Sequence, residues 1–125
     1  MKIIILIMRR KPVAQGLMEK FREKKDVELI FEPDYSNADV AIRSHDAGIA
    51  LIEVDESGEY NAAYCLALCT LLRKETPQCK LLIMCPEQDK DSIDQVVKAK
   101  QKGCIDDFVF YDSTIPYLTS KFLSL

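Results

Sequence analysis

The chain has 125 residues, 48% of them hydrophobic and 30% charged, with a net charge of −3. That length makes a single domain, residues 1–125, able to bury roughly two thirds of its unfolded surface without disulfide or metal staples. The mild negative balance offers no concentrated basic face, which argues against direct nucleic-acid binding and against attachment to an anionic membrane.

The opening Met1-Lys2-Ile3-Ile4-Ile5-Leu6-Ile7-Met8 has an apolar run only as long as a strand, and Arg9-Arg10-Lys11 follows it without a small-residue cleavage site, so it reads as a strand over Ile3 to Met8 and not as a signal peptide. No run approaches the roughly 20 apolar residues of a membrane span, and the expectation is a soluble, cytoplasmic protein. Pro12 opens a helix in which Val13, Ala14, Leu17, Met18 and Phe21 recur at helical spacing. Val27 to Phe31 reads as a second strand whose mixture of apolar residues with the acidic Glu28 and Glu32 suits an edge or near-edge position. Pro33-Asp34-Tyr35-Ser36-Asn37 is a turn, with Ser36 or Asn37 placed to cap a short helix carrying Ala38, Ala41 and Ile42 and ending at His45-Asp46.

Ile49-Ala50-Leu51-Ile52 is apolar without alternation, the pattern of a strand covered on both faces of a parallel sheet. Glu53 and Asp55 follow at once, at the carboxyl end where open α/β sheets place their chemistry. Asn61 is placed to cap a third helix with Ala62, Cys65, Leu66, Cys69 and Leu72 on one face, and Pro77 lies just beyond its end. Lys80 to Cys85 is the fourth strand. Its helix has Ile93, Val96 and Val97 as apolar anchors, acidic residues in the first turn, lysines in the last, and Gly103 to close it. Phe108 to Tyr111 is the fifth strand, and Ser113 or Thr114 caps a final helix with Leu118, Phe122 and Leu123 inward.

Strands alternating with helices require parallel pairing and right-handed crossovers. The simplest result is one doubly wound five-stranded sheet of flavodoxin-like order 2-1-3-4-5. The five cysteines form no CxxC pair and lie in apolar runs or helix faces, so they read as reduced core residues and not as metal ligands. His45, the single histidine, has no partner in sequence that would make a triad or a metal site.

This element order, together with the run Gly48-Ile49-Ala50-Leu51-Ile52-Glu53, resembles the receiver domain of bacterial two-component response regulators over nearly the whole chain. The resemblance implies an aspartate nucleophile after strand three, an acidic pair after strand one to hold magnesium, a Ser or Thr after strand four and a Lys after strand five. Magnesium is a hard ion that wants carboxylate oxygens, while the hydroxyl and the lysine hold the phosphoryl group. The sequence departs at each position. Glu53 stands at the phosphoacceptor position. Met8 and Arg9, with Arg10 beside them, replace the acidic pair, and guanidinium groups there repel a divalent cation. Cys85 and Tyr111 occupy the ends of strands four and five.

The reading is a pseudo-receiver: a regulatory protein-interaction domain, not an enzyme, needing no cofactor or metal, with Glu53 paired to Arg9 or Arg10. Asp55 would be the acceptor only if strand three ran two residues further. The resemblance assigns partner contact or homodimerisation, as in transcription regulators, to the face of helix four, strand five and helix five, which here carries Lys98, Lys102, Asp106, Asp107, Tyr111 and Tyr117. The alternative is a small-molecule or nucleotide binder using the crevice between strands one and three, for which Arg9-Arg10-Lys11 would supply charge. No Gly-rich loop offers backbone amides there.

Overall fold

In the computed structural model, which describes residues 1–125, every apolar run becomes a parallel strand and every amphipathic run the helix that carries the chain back. The order is β1 (Lys2–Ile7), α1 (Lys11–Phe21), β2 (Val27–Glu32), a 3-10 turn (Tyr35–Asn37), α2 (Ala38–His45), β3 (Ile49–Glu53), α3 (Ala62–Glu75), β4 (Lys80–Cys85), α4 (Lys90–Gln101), β5 (Asp107–Phe110) and α5 (Ile115–Ser124). The sheet runs β2-β1-β3-β4-β5 with all pairs parallel, the expected doubly wound arrangement.

The uniformly apolar strands serve two cores at once, because successive side chains leave opposite faces of the sheet. Ile5, Ile7, Ala50, Ile52, Leu81 and Ile83 face α2, α3 and α4. Ile4, Leu6, Ile49, Leu51, Leu82 and Met84 face α1 and α5. Every one of these strand residues is buried, each worth about 1.5–3 kcal/mol of transfer free energy for the larger side chains, so the register of the central strands is strongly specified.

Local chemistry sets the helix ends. The side chains of Asn61, Asp89 and Thr114 accept from the backbone N–H groups of Tyr64, Ser92 and Tyr117 at the starts of α3, α4 and α5. At the other end of α5, Lys2 Nζ donates to the carbonyls of Phe122 and Leu125 at 2.7 Å each, placing a cation on a helix C-terminus from the first residue of β1. Gly103, at φ +80°, turns the chain out of α4.

Several local expectations need correction. Asn37 sits at the start of α2 but makes no capping bond; its Nδ2 donates instead to Glu32 Oε1 at 2.6 Å, and Asp34 organises the turn by accepting from Ser36. Leu123 points outward at 54% exposure, because in α5 only Leu118 and Phe122 fall on the sheet-facing side. β1 ends at Ile7 and β5 at Phe110, so Met8 and Tyr111 belong to the loops that follow.

Candidate functional site

The carboxyl ends of β1, β3 and β5 bring Arg10, Glu53 and Tyr111 together. Glu53 is the last residue of β3 and is wholly buried, flanked by β1 and β4. Arg10 immediately precedes α1, and its Nε donates to Glu53 Oε2 at 2.7 Å while Nη2 donates to the same oxygen. Both donors thus converge on one oxygen, and Glu53 Oε1 is left buried without a partner. The hydrogen bond to Glu53 holds the Arg10 guanidinium still more firmly in its charged form.

The guanidinium also lies over the Tyr111 ring, 4.3 Å from its centroid, and the Tyr111 hydroxyl donates to the carbonyl of Val54. One cation therefore ties together the segments after β1, β3 and β5. Burial pushes the Tyr111 phenol upward, with the Glu53 charge adding to it, so the hydroxyl stays a donor.

A tyrosine cluster supports the other side of Glu53. Tyr35 is buried and donates its hydroxyl to the Glu53 carbonyl at 2.6 Å. Its ring stacks on Tyr60 with centroids 4.0 Å apart, and Tyr64 meets both rings edge-on. Burial drives the Tyr35 phenol far above its ordinary range. Arg9 does not reach Glu53; it stacks over Tyr60 at 5.4 Å. Of the two arginines, only Arg10 makes the ion pair with the glutamate.

The remaining positions are distributed as follows. β3 ends at Glu53; Val54 N–H still donates to the Met84 carbonyl, but Asp55 N–H turns to Tyr60, which takes Asp55 out of the sheet. Met8 is buried among core side chains. Cys85 is buried at the end of β4, its thiol pushed up to about 11 by desolvation, an inert rather than an activated sulfur. A cleft of about 570 Å³ above these residues is lined by Arg9, Arg10, Asp55, Glu56, Ser57 and Tyr111.

The donor set fits magnesium poorly. The side chain after β1 that reaches Glu53 is a cation seated on one of its carboxylate oxygens, and no group of three or more His, Cys, Asp or Glu side chains is placed to hold a metal ion.

On the face formed by α4, β5 and α5, Lys98, Lys102 and Tyr117 are exposed. Asp106 and Asp107 are engaged within the chain. Asp106 accepts from Arg73 Nη2 and from Leu81 N–H, both at 2.8 Å; Asp107 pairs with Lys100 at 2.9 Å and with Lys121. Tyr111 is turned inward, so it and the two aspartates brace this face more than they present it.

The tyrosine cluster and the Lys2 cap were not apparent in the sequence. An aromatic residue inside the polar turn Pro33-Asp34-Tyr35 is the one local signal that something there is buried.

No family model matches the sequence, and no curated protein is similar to it in sequence. Solved structures do superpose over nearly its whole length. A DNA-binding response regulator of the LuxR family from Staphylococcus aureus matches with a TM-score of 0.78 at 13% identity, over 99% of this chain and 98% of that one. The BeF3-activated receiver domain of Klebsiella pneumoniae RstA matches at 0.75 and 15%, over 98% and 97%. A response regulator from Thermotoga maritima matches at 0.74 and 20%, over 99% and 98%. The chain therefore has the receiver fold.

Proposed function

We propose that the chain is a regulatory protein-interaction domain that works without phosphorylation, a pseudo-receiver in the setting of two-component signalling. One observation carries this reading: the Arg10 guanidinium is seated on the Glu53 carboxylate at the position where a receiver needs a metal-bound aspartate. A permanent ion pair replaces a charge that phosphate would switch. The position offers a carboxylate already committed to a cation, and magnesium would have to displace that cation to enter.

The receiver fold of its structural neighbours supports a signalling role, and the exposed Lys98, Lys102 and Tyr117 support contact with a protein partner or a second copy through the face of α4, β5 and α5. No helix is long and apolar enough to cross a membrane. The domain itself is read as making no direct contact with nucleic acid, since its net charge is −3. In the small-molecule reading, a ligand in the cleft beside Arg9 would also meet Asp55 and Glu56, which disfavour an anion; a thermal shift with nucleotides would revive it.

The test is direct. Incubation with acetyl phosphate and magnesium, or with beryllium fluoride, leaves intact mass and amide spectra unchanged. Stoichiometric gain of one phosphoryl group at Glu53 or Asp55 refutes the reading.

A further inference from the structure

The cleft of about 570 Å³ above the carboxyl ends of β1 and β3 holds charge of both signs that the chain does not spend on itself. The segment after β1 contributes Arg9 and Arg10, and the loop after β3 contributes Asp55, Glu56 and Ser57. Arg10 is paired with the buried Glu53 beneath it. Arg9, Asp55 and Glu56 form no ion pair with any residue, so opposite charges line one cleft without collapsing onto each other.

These groups are held in place by the structure around them. The Arg9 guanidinium lies on the Tyr60 ring, which is itself stacked on the buried Tyr35. Asp55 N–H donates to the Tyr60 carbonyl at 2.8 Å, so one tyrosine anchors a cation through its ring and an anionic residue through its backbone. Arg10 uses Nε and Nη2 on Glu53 and rests on Tyr111, which leaves Nη1 uncommitted. A charged group whose position is already fixed loses little freedom when a ligand arrives.

We infer that this cleft binds a small zwitterion, a molecule that carries a carboxylate and an ammonium close together as a free α-amino acid does. The carboxylate is taken by Arg9 and the free donor of Arg10, and the ammonium by Asp55 and Glu56, in charge-assisted hydrogen bonds. A simple anion is repelled by the two carboxylates and a simple cation by the two guanidinium groups, so each half of the lining rejects what the other attracts. Nucleotides and large apolar ligands are disfavoured for a further reason: Tyr111 is the one apolar lining residue, and it offers little surface against which to bury a ring. Binding here gives a domain read as independent of phosphate a chemical input at the same end of the sheet. The site itself does not depend on that reading.

The test is a titration of the full 125-residue chain with a pool of free L-amino acids, each at millimolar concentration and without magnesium or phosphate, followed in amide NMR spectra. At least one member of the pool produces saturable shifts centred on Arg9, Arg10, Asp55, Glu56 and Ser57. Its N-acetyl derivative keeps only the carboxylate and its amide keeps only the ammonium; each binds about tenfold more weakly, the cost of losing one charge-assisted contact. Asp55→Asn and Arg9→Gln, whose spectra verify the fold, weaken binding by a similar ~tenfold. Lys20→Ala, which removes an equal charge from the exposed surface of α1, leaves it unchanged. Absence of saturable shifts with every member of the pool overturns the proposal. So does an N-acetyl or amide derivative that binds as tightly as its parent, or a parent indifferent to both Arg9→Gln and Asp55→Asn. The acetyl phosphate experiment reads covalent mass and is untouched by any of these results, so the ligand site and the phosphate-independent reading fail separately.

Discussion

Glu53 and Asp107 are both carboxylates held by cations, at opposite ends of the sheet, and they are held in opposite ways. Glu53 has no solvent exposure; one of its oxygens takes both donors of a single arginine and the other takes none. Asp107, at the start of edge strand β5, accepts from Phe108 N–H at 2.8 Å and is shared between Lys100 and Lys121. The first arrangement is buried and depends on one partner. The second is redundant and near water. Removing a cation from a buried carboxylate strands its charge, whereas removing one from Asp107 leaves another lysine and solvent in place. The carboxyl end of β3 is thus built to keep a fixed pairing, and the start of β5 to tolerate a changing one.

The largest effect should come from breaking the fixed pair. Arg10→Met leaves Glu53 buried and unpaired, which costs ~3–5 kcal/mol when both partners are enclosed. Because the Arg10 side chain is 45% exposed, water can enter in its place and the expected loss is about 2–3 kcal/mol. Glu53→Leu added to Arg10→Met should recover most of it, since an apolar pair of similar volume needs no partner. Urea midpoints at constant slope measure both. A loss below ~0.5 kcal/mol for Arg10→Met would show that Glu53 does not depend on the arginine.

Next in size is the hydroxyl that supports Glu53 from behind. Tyr35→Phe keeps the stacked ring and removes the donor to the Glu53 carbonyl, which then retains only the Cys65 thiol at 3.6 Å. A loss of ~1–2 kcal/mol is expected, less than for Arg10, because a neutral carbonyl and not a charge is left short. Equal losses for the two variants would place the strength of the site in the backbone contact instead of the ion pair.

The difference between the two carboxylates also marks what can be read from a linear sequence. The strands were legible because their apolar runs have strand length and lack alternation, and the helices because Val13, Leu17 and Phe21, or Ala62, Cys65, Cys69 and Leu72, repeat at the helical period. That Glu53 closes β3 followed from the abrupt end of its apolar run. That Arg10 and not Arg9 pairs with it did not follow, since adjacent residues entering a helix point in directions that only the entry geometry of α1 decides. Tyr35 and Tyr60 are 25 positions apart in the chain, and no periodicity connects a turn residue to a loop residue that stack only after α2, β3 and α3 have docked. The internal partners of Asp106 and Asp107 were hidden for the same reason: Arg73, Lys100 and Lys121 come from three different helices.

The smallest effect is expected at Asp107, and pH exposes it. Desolvation raises the affinity of this carboxylate for a proton, but hydrogen bonds from Lys121, Lys100 and the Phe108 N–H outweigh it, and the net shift is downward. A depressed value in the folded state means that the stabilising contribution is complete above the unfolded carboxylate range near ~3.9 and is lost as pH falls through the lower folded value. Asp107→Asn should therefore cost about 1 kcal/mol or less at neutral pH, the ordinary scale for partly exposed ion pairs. Urea midpoints of the wild-type and Asp107→Asn chains should converge as pH drops below that range. Lys100→Ala and Lys121→Ala should each cost less than Asp107→Asn, because each leaves the other lysine in place. A gap between wild type and Asp107→Asn that persists undiminished in strong acid would mean that Asp107 acts through shape and not charge, and the contrast with Glu53 would then rest on burial alone.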